Sequence, residues 1–157
     1  FRSALDFGLP QKRERIIIIG FLGNYSFRFP EVQKEKANLK NFLENDAEVD
    51  PRHYASEKVV KSVWSRLKSE PFFPSVWHEN KSGNISVLPY SCALRAGASY
   101  NYLLVNGVRR LTSRENLRLQ GFPDDYPIVV PHSQIRKQAG NSVPISMIQA
   151  VAKELIH

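Results

Sequence analysis

Four consecutive isoleucines, Ile16 to Ile19, restrict the fold of this chain more than any other feature. An apolar β-branched run without polar alternation is typical of a strand buried on both faces, as in a parallel sheet covered by helices. One such strand cannot form a sheet by itself. The run therefore predicts one strand of a parallel sheet, with the other strands still to be accounted for.

The segment before the isoleucines alternates in polarity. In an extended chain Gln11, Arg13 and Arg15 share one face, and Lys12 and Glu14 share the other. Two arginines on one face beside a buried strand are costly unless they find an acidic or polar partner. The pattern indicates either a functional site or a solvated strand edge, and the residues alone leave both interpretations open.

A second stretch contains the start and stop signals of a short helix. Thr112 and Glu115 have the spacing of a capping box, so a helix is expected to begin directly after Thr112. Gly121 can adopt the left-handed conformation that ends a helix, and Pro123 prevents its continuation. The pattern predicts a helix of about two turns.

Four arginines lie on or beside this helix, which is more than so short a helix needs for solubility. They are Arg109, Arg110, Arg114 and Arg118. Arginine suits bidentate contact with phosphate, and the formal net charge of +7 also favours a polyanionic partner. Residues 80–114 contain basic residues but no Asp or Glu. This window is the best candidate for an anion-facing surface.

The middle of the chain predicts one helix followed by irregular β structure. Residues 22–51 are rich in turn-forming and acidic residues, as a solvated loop is. Residues 54–68 place Val63 and Leu67 at helical spacing, which predicts a surface helix with one buried stripe. Residues 75–97 alternate short apolar runs with Gly and Asn, which favours irregular β structure.

Residues 90–107 combine Arg95 and Asn101 with several tyrosines. Arg and Asn are the side chains that bind guanine and adenine edges bidentately in a major groove. The alternative is a hairpin with half-buried tyrosines that ends at the Asn106-Gly107 turn. Composition alone leaves the two interpretations about even.

The last segment predicts an amphipathic helix with a polar start. Asn141 or Ser142 can cap a helix, Pro144 is tolerated in a first turn, and an apolar stripe continues to Leu155. The positive end of a helix beginning here would favour a ligand carboxylate or phosphate. A plain capped helix has the same pattern.

A single cysteine, Cys92, excludes an internal disulfide framework and is too few for a thiolate zinc site, so no metal is expected. An intracellular, reducing location is expected for the same reason. No apolar run approaches the roughly 20 residues that span a bilayer, and the N-terminus lacks a signal-peptide pattern. The chain opens at Phe1 rather than Met, as a fragment or a trimmed chain would.

Three of these stretches, in this order, resemble the C-terminal part of the cytosine-C5 DNA methyltransferases. Residues 7–21 match the family's Gln-x-Arg-x-Arg motif, residues 110–126 its Arg-x-Leu-Thr-x-Arg-Glu motif, and residues 138–145 its Gly-Asn-Ser/Ala-Val motif. Residues 54–58 also look like a segment that follows the first motif. Residues 22–108 occupy the place of the family's target-recognition domain.

The family transfers a methyl group from S-adenosylmethionine to C5 of a cytosine that is flipped out of the duplex. The resemblance implies that Arg15 contacts O2 of this cytosine, with Arg13 beside it and Gln11 positioning the segment. It places Asn141 and Ser142 on the cofactor side. S-adenosylmethionine is therefore the expected cofactor, with its main binding loops outside this chain.

The resemblance also separates structural from DNA-facing residues. The motif at 110–126 is expected to be the scaffold of the recognition domain, so Arg114 and Glu115 are expected to be structural. Double-stranded DNA is the expected partner, with no membrane partner. The expected DNA contacts are Lys81, Arg95, Ser99, Asn101, Arg109 and Arg110.

Parts of the family pattern are missing. We find no Phe-x-Gly-x-Gly cofactor loop, no Pro-Cys nucleophile motif and no Glu-Asn-Val motif, all of which belong to the family's N-terminal two-thirds. Cys92 cannot replace the nucleophile, because it lacks the preceding proline and a free cysteine is commonly a small core residue. This chain alone is therefore expected to be inactive.

We expect an α/β composite fold. Residues 1–21 and 133–157 would complete the incomplete edge of a SAM-dependent methyltransferase parallel-sheet domain, around a mostly β, irregular target-recognition domain at 22–132 that includes the scaffold motif 109–126. The N-terminal catalytic half or subunit would be the protein partner, in a restriction-modification enzyme on nucleoid DNA of the bacterial cytoplasm. The alternative is a non-catalytic, sequence-specific DNA-binding module derived from such an enzyme.

Overall fold

The computed structural model of the chain describes residues 1–33 and 35–156. The helices are α1 (Glu57–Ser65), α2 (Ser113–Arg118), α3 (His132–Asn141) and α4 (Ile145–Ile156). The strands are β1 (Arg2–Ser3), β2 (Gln11–Lys12), β3 (Glu14–Arg15), β4 (Val76–Glu79), β5 (Ile85–Leu88), β6 (Ser91–Cys92) and β7 (Leu103–Val105). Four short 3-10 turns lie at Ala4–Phe7, Leu39–Phe42, Asp46–Glu48 and Pro51–His53.

A three-stranded antiparallel sheet, in the order β5-β4-β7, forms the centre of the molecule. Val76 and Val105 are paired neighbours whose side chains join one core cluster, and Trp77 and Leu104 are the next pair and join the other. This alternation is the strand period of two. Helix α1 covers the second cluster through Val63. The predicted surface helix and the predicted irregular β region are therefore both confirmed.

The four isoleucines do not form the predicted buried strand. Residues 16–19 lie outside every strand, and the side chains of Ile16 and Ile18 are 63% and 89% exposed. Strand β3 ends at Arg15 and pairs only with the two-residue β1 in the part of the chain that the structure describes. Apolar residues become buried only where other elements cover them, and no described element does so here. The prediction of a strand buried on both faces is wrong for this chain by itself.

The capping-box helix is confirmed. The N–H of Glu115 donates to the Thr112 hydroxyl at 3.1 Å, and the N–H of Thr112 donates to the Glu115 carboxylate at 2.8 Å. Gly121 has a φ of +86°, and its N–H donates to the Arg118 carbonyl at 2.9 Å. Both ends of α2 therefore form through the local bonds that its sequence predicts.

Arg109 does not face an anion outside the protein, which corrects the prediction that it contacts DNA. Its side chain is 1% exposed, and its Nη1 and Nη2 donate to the two carboxylate oxygens of Glu115 at 2.9 Å each. Its Nε donates to Asp46 at 2.6 Å. An arginine without nearby carboxylates can bind phosphate, whereas Arg109 is already paired and desolvated. Its role is structural.

Two other arginines of this stretch hold the chain that follows α2. Arg118 donates to both carboxylate oxygens of Asp124 at 2.7 and 3.0 Å, and Arg114 donates to the carbonyl of Tyr126 at 2.9 Å. These bonds fold the segment after Gly121 back against α2. The contacts of Arg114 and Glu115 agree with their expected structural roles.

The C-terminal region contains two helices instead of one. Asn141 is the last residue of α3, and the N–H of Ser142 donates to the Gln138 carbonyl at 2.9 Å, so these residues end a helix. The prediction of a helix beginning at Asn141 or Ser142 is wrong. The predicted apolar helix exists but begins at Ile145. The last residue of the predicted segment 133–157 lies outside the described residues.

Helix α3 was not predicted because it buries little apolar surface. Only Ile135 and Ala139 of its residues are buried, at the i, i+4 spacing of one helix face. Within the described residues no helix is both long enough and apolar enough to cross a membrane.

The Asn106-Gly107 turn gives a first prediction. Both residues have positive φ, 53° and 69°, and a Cβ on Gly107 would lie 2.5 Å from the Trp77 ring. We expect Gly107→Ala to lower the free energy of unfolding by about 2–4 kcal/mol, from backbone strain and overpacking. Gly97→Ala is the control, because a Cβ there has no neighbour within 4 Å. Chemical denaturation measures both, and equal stability would contradict the prediction.

The buried ion pair gives a second prediction. Glu115→Gln removes the buried, bidentate carboxylate partner of Arg109 and leaves only the half-exposed Asp46, which should lower the free energy of unfolding by about 3–5 kcal/mol. Asp124→Asn removes one partner of the more exposed pair with Arg118 and should change stability by about 1 kcal/mol or less. Denaturation curves of the two variants test this difference. A Glu115→Gln protein as stable as Asp124→Asn would show that the buried pair is not required.

Candidate functional site

Gln11 is completely buried and connects two distant parts of the chain. Its Nε2 donates to the Leu119 carbonyl at 2.7 Å, and its Oε1 accepts the N–H of Leu94 at 3.0 Å. Strand β2 also pairs in parallel with β6, with Gln11 opposite Ser91. The side chain therefore fixes the end of α2 and the segment after β6 relative to each other.

Arg13 is buried as well and binds three carbonyl oxygens. Its Nη1 donates to Leu94 at 2.7 Å, and its Nη2 donates to Gly140 at 2.8 Å and to Ser142 at 2.7 Å. Burial, with a smaller effect of the Arg15 charge, lowers the pKa of Arg13 to about 10. The two terminal nitrogens thus bind backbone carbonyls from two other segments, whereas Nε is buried without a hydrogen-bond partner among the described residues.

Arg15, the last residue on the face shared with Gln11 and Arg13, is less buried than either of them. It is only half-buried, and its Nη1 donates to the carbonyl of the adjacent Glu14 at 2.6 Å, in an exposed bond. Backbone pairing of Arg15 with Arg2 fixes its Cα position. Since Lys12 and Glu14 are exposed, the predicted alternation of this segment is confirmed. The guanidinium of Arg15 is accessible, and the backbone that carries it is paired in a strand.

The backbone of the Gly140 turn packs closely against the segment after Leu94. A Cβ on Gly140 would lie 2.4 Å from the backbone nitrogen of Ala96, so only glycine allows this approach. Arg13 donates to the carbonyl of Gly140 and to the carbonyl of Leu94, the residue directly before that segment. Residues 11–13, 94–96 and 140–142 therefore meet in one place.

The two residues expected on the cofactor side lie at the edge of this meeting point. Asn141 is exposed, and the Ser142 hydroxyl donates to the Ala139 carbonyl at 2.9 Å. Asn141 is the last residue of α3 and Ser142 is its C-cap, so the argument from a positive helix end does not apply to them.

Several of the expected DNA contacts lie together. Lys81, Arg95 and Ser99 are exposed and line one open groove beside Tyr102. Asn101 is half-buried, and its Oδ1 accepts a hydrogen bond from Arg110 Nε at 2.8 Å. Arg110 also lines a second recess together with Arg95. Of the residues predicted to contact DNA, only Arg109 is excluded by burial.

Sequence reasoning did not identify Arg136 and assigned no site role to Tyr100. Arg136 projects from α3, and its Nη2 donates to the Ser99 carbonyl at 3.3 Å. Its guanidinium lies over the Tyr100 ring, 4.3 Å from the ring centroid, and that of Arg110 lies 5.1 Å from the same centroid. No spacing in the sequence pairs residue 136 with residue 100. The only signal was a basic residue shortly before the Gly-Asn-Ser-Val motif.

Cys92 has the environment of a packing residue. It is half-buried against the larger core cluster, and burial raises the pKa of its thiol, which disfavours the nucleophilic thiolate. Among the described residues, no three His, Cys, Asp or Glu side chains are grouped as metal ligands would be.

Known proteins share both the sequence and the fold of this chain. Residues 2–157 match the family model of the C-5 cytosine-specific DNA methylases. The chain is 58% identical over 151 residues to the type II methyltransferase M.NgoBI of Neisseria gonorrhoeae, covering 96% of this chain and 48% of that protein. It is 53% identical over 155 residues to the type II methyltransferase M.HaeII of Haemophilus aegyptius, covering 99% and 49%.

Solved methyltransferase structures are similar at lower identity. A structure of the Entamoeba histolytica methyltransferase EhMeth aligns with a TM-score of 0.64 at 15% identity, covering 98% of this chain and 50% of that one. The S. pombe Dnmt2 methyltransferase aligns with a TM-score of 0.60 at 18% identity, covering 99% and 56%. The chain shares the α/β fold of these enzymes and spans about half the length of the relatives it matches. By its sequence, this chain belongs to the C-5 cytosine-specific DNA methylase family.

Proposed function

We propose that this chain is the C-terminal part, or a separate subunit, of a DNA cytosine-C5 methyltransferase. It recognises a specific duplex sequence and helps to transfer a methyl group from S-adenosylmethionine to C5 of a flipped cytosine. The observation that carries this proposal is the Gln-x-Arg-x-Arg segment. Gln11 and Arg13 are buried in bonds to the protein, whereas Arg15 on the same face keeps an accessible guanidinium.

Arg15 holds the flipped cytosine at O2. A guanidinium in a fixed position stabilises negative charge that develops on the ring as the nucleophile attacks, and it needs little reorganisation at that moment. Arg13 fixes the backbone next to Arg15 through its three carbonyl contacts. Gln11 holds the segment that carries both arginines. These two residues position the segment and do not touch the substrate.

The chain is divided between two structural units. Residues 1–21 and 133–157 complete a parallel-sheet catalytic domain whose remaining strands come from the N-terminal half, and residues 22–132 form the target-recognition domain. The exposed isoleucines support this division, because an apolar extended segment needs neighbouring strands. The length of the relatives, about twice the matched region, supports it as well.

The N-terminal half supplies the nucleophilic cysteine and the main S-adenosylmethionine loops. Cys92 is a packing residue with a raised thiol pKa, so it is unsuited to attack C6. In the complete enzyme, Asn141 and Ser142 border the cofactor. The cofactor supplies the electrophilic methyl group.

The DNA-facing surface includes Lys81, Arg95 and Ser99 in the open groove, with Asn101 and Arg110 beside it. Exposed cations and amides are the groups that contact phosphates and base edges. The enzyme acts in a restriction-modification system, on nucleoid DNA in the bacterial cytoplasm.

Reconstitution tests the proposed function. The chain is mixed with a partner that carries the Pro-Cys half, and transfer of labelled methyl groups to duplex DNA is followed. We expect transfer by the mixture and none by either chain alone. Sequence-specific DNA binding without transfer, by any such folded pair, would instead support a non-catalytic DNA-binding module.

Arg15→Ala in the reconstituted enzyme should reduce turnover by about 100-fold, as removal of a preorganised donor does. DNA affinity should change much less, because the contact is made to one flipped base. The control is Lys12→Ala, which removes a cation from the opposite, exposed face of the same segment. Single-turnover rates and dissociation constants separate the two effects. Equal losses of rate and affinity in Arg15→Ala would indicate a simple phosphate contact.

A further inference from the structure

Three arginines from separate parts of the chain line one recess. Arg95 follows β6, Arg110 precedes α2, and Arg136 lies on α3. Tyr100 and Tyr102 form part of the same walls. The recess therefore exists only when the recognition loop, the scaffold motif and the C-terminal region are folded together.

Aromatic and backbone contacts hold each guanidinium in place. Arg110 and Arg136 both lie over the Tyr100 ring, and Arg95 lies over the Tyr102 ring, 4.9 Å from its centroid. Such cation–π contacts orient a guanidinium without neutralising its charge. The bond from Arg136 to the Ser99 carbonyl adds a second fixed point. The cations are preorganised rather than freely mobile.

The recess has no carboxylate to balance its charge. Arg66, Arg109 and Arg118 each pair with an acidic side chain, whereas the three recess arginines form no ion pair with any described residue. Three uncompensated guanidiniums in one place repel one another, so an anion would be attracted strongly.

His132 lies beside the recess, in contact with Tyr100. Its ring meets the Tyr100 ring edge-on at 6.2 Å, and its Nδ1 lies 2.8 Å from the Ser113 hydroxyl. Burial is the main cause that lowers the pKa of His132 to about 4, and the charges of His53 and Arg136 lower it further. His132 therefore stays neutral at physiological pH and adds no charge of its own.

We propose that this recess binds one backbone phosphate of the DNA, with Arg136 as the contact contributed by α3. The inference rests on the proposed function and adds a residue to its DNA surface. A phosphate suits the site better than a base, since two guanidiniums already lie over Tyr100 and the site offers N–H groups instead of an open ring. The recess itself has a volume of about 20 Å³, room for about one water molecule, so the phosphate lies at its mouth. Binding there connects the recognition loop to the C-terminal region through one ligand.

The test uses the complete methyltransferase, this chain with its N-terminal half. Dissociation constants of Arg136→Ala for cognate and non-cognate duplexes are measured at several salt concentrations. We expect affinity for both duplexes to fall by about tenfold, and the slope of log K against log salt to fall in magnitude by about one. The ratio between cognate and non-cognate affinity should stay unchanged, because phosphate contacts carry no sequence information.

Two further variants control for charge and for folding. Lys137→Ala removes an exposed cation from the adjacent position of α3 and should leave affinity and slope unchanged. Arg136→Gln loses the charge but keeps a donor for the Ser99 carbonyl, and it replaces Arg136→Ala if that variant does not fold. A scan with single methylphosphonates should find one position at which neutralisation weakens the wild type but not the Arg136 variant.

Each other outcome overturns the inference. Unchanged affinity and slope would show that no phosphate is bound, and equal effects in Lys137→Ala would show only a bulk charge effect. A reduced cognate preference with an unchanged slope would show a base contact. Methyl transfer by the wild type is measured in the same preparations, so its absence refutes the proposed function, while the binding data still decide on the phosphate site.

Discussion

The buried ion pair between Arg109 and Glu115 joins the central sheet to the segments that surround it. The Arg109 guanidinium bonds to both Glu115 oxygens and to Asp46, while its backbone bridges to Val105 of the sheet and to Tyr54 before α1. Glu115 in turn accepts the N–H of residue 44 at 2.9 Å and caps its own helix. One buried pair therefore connects the central sheet, the acidic loop and α2, and its loss would leave a charge without compensation.

A second buried network joins the segment after β6 and the end of α2 to the two terminal parts of the chain. Arg13 bonds to carbonyls at Leu94, Gly140 and Ser142, and Gln11 adds the end of α2. The three carbonyls are neutral, so they bind the two terminal nitrogens of the guanidinium without cancelling its charge. Buried support at Gln11 and Arg13 and an accessible guanidinium at Arg15 thus lie on one extended face, at consecutive positions of a two-residue period.

The arginines of this chain divide by their partners rather than by their position in the sequence. Arg109 and Arg110 are neighbours, but the first is buried with two carboxylates and the second lies over a tyrosine ring beside an open recess. Carboxylates attract a guanidinium into the interior, and an aromatic face leaves its charge available. The available cations are the ones that suit a polyanion.

The sequence alone determined the features that depend on local bonds and on alternation. The capping box and the Gly121 stop follow from neighbouring residues, since their partners lie within a few positions, and the alternation from Gln11 to Arg15 follows from the strand period of two. The order of the three motifs was sufficient to identify the family. Even the amphipathic C-terminal helix was evident from its apolar stripe, although its start was misplaced by the turn that ends α3.

Only the tertiary structure decided which polar groups are buried and which residues meet across the chain. Burial of Arg109 depends on Asp46, 63 positions away, and the recess depends on Arg136 reaching Tyr100. The isoleucines lie exposed because their burial requires strands that this chain does not provide among its described residues. Desolvation and long-range packing set these outcomes, and neither leaves a period or a spacing in the sequence.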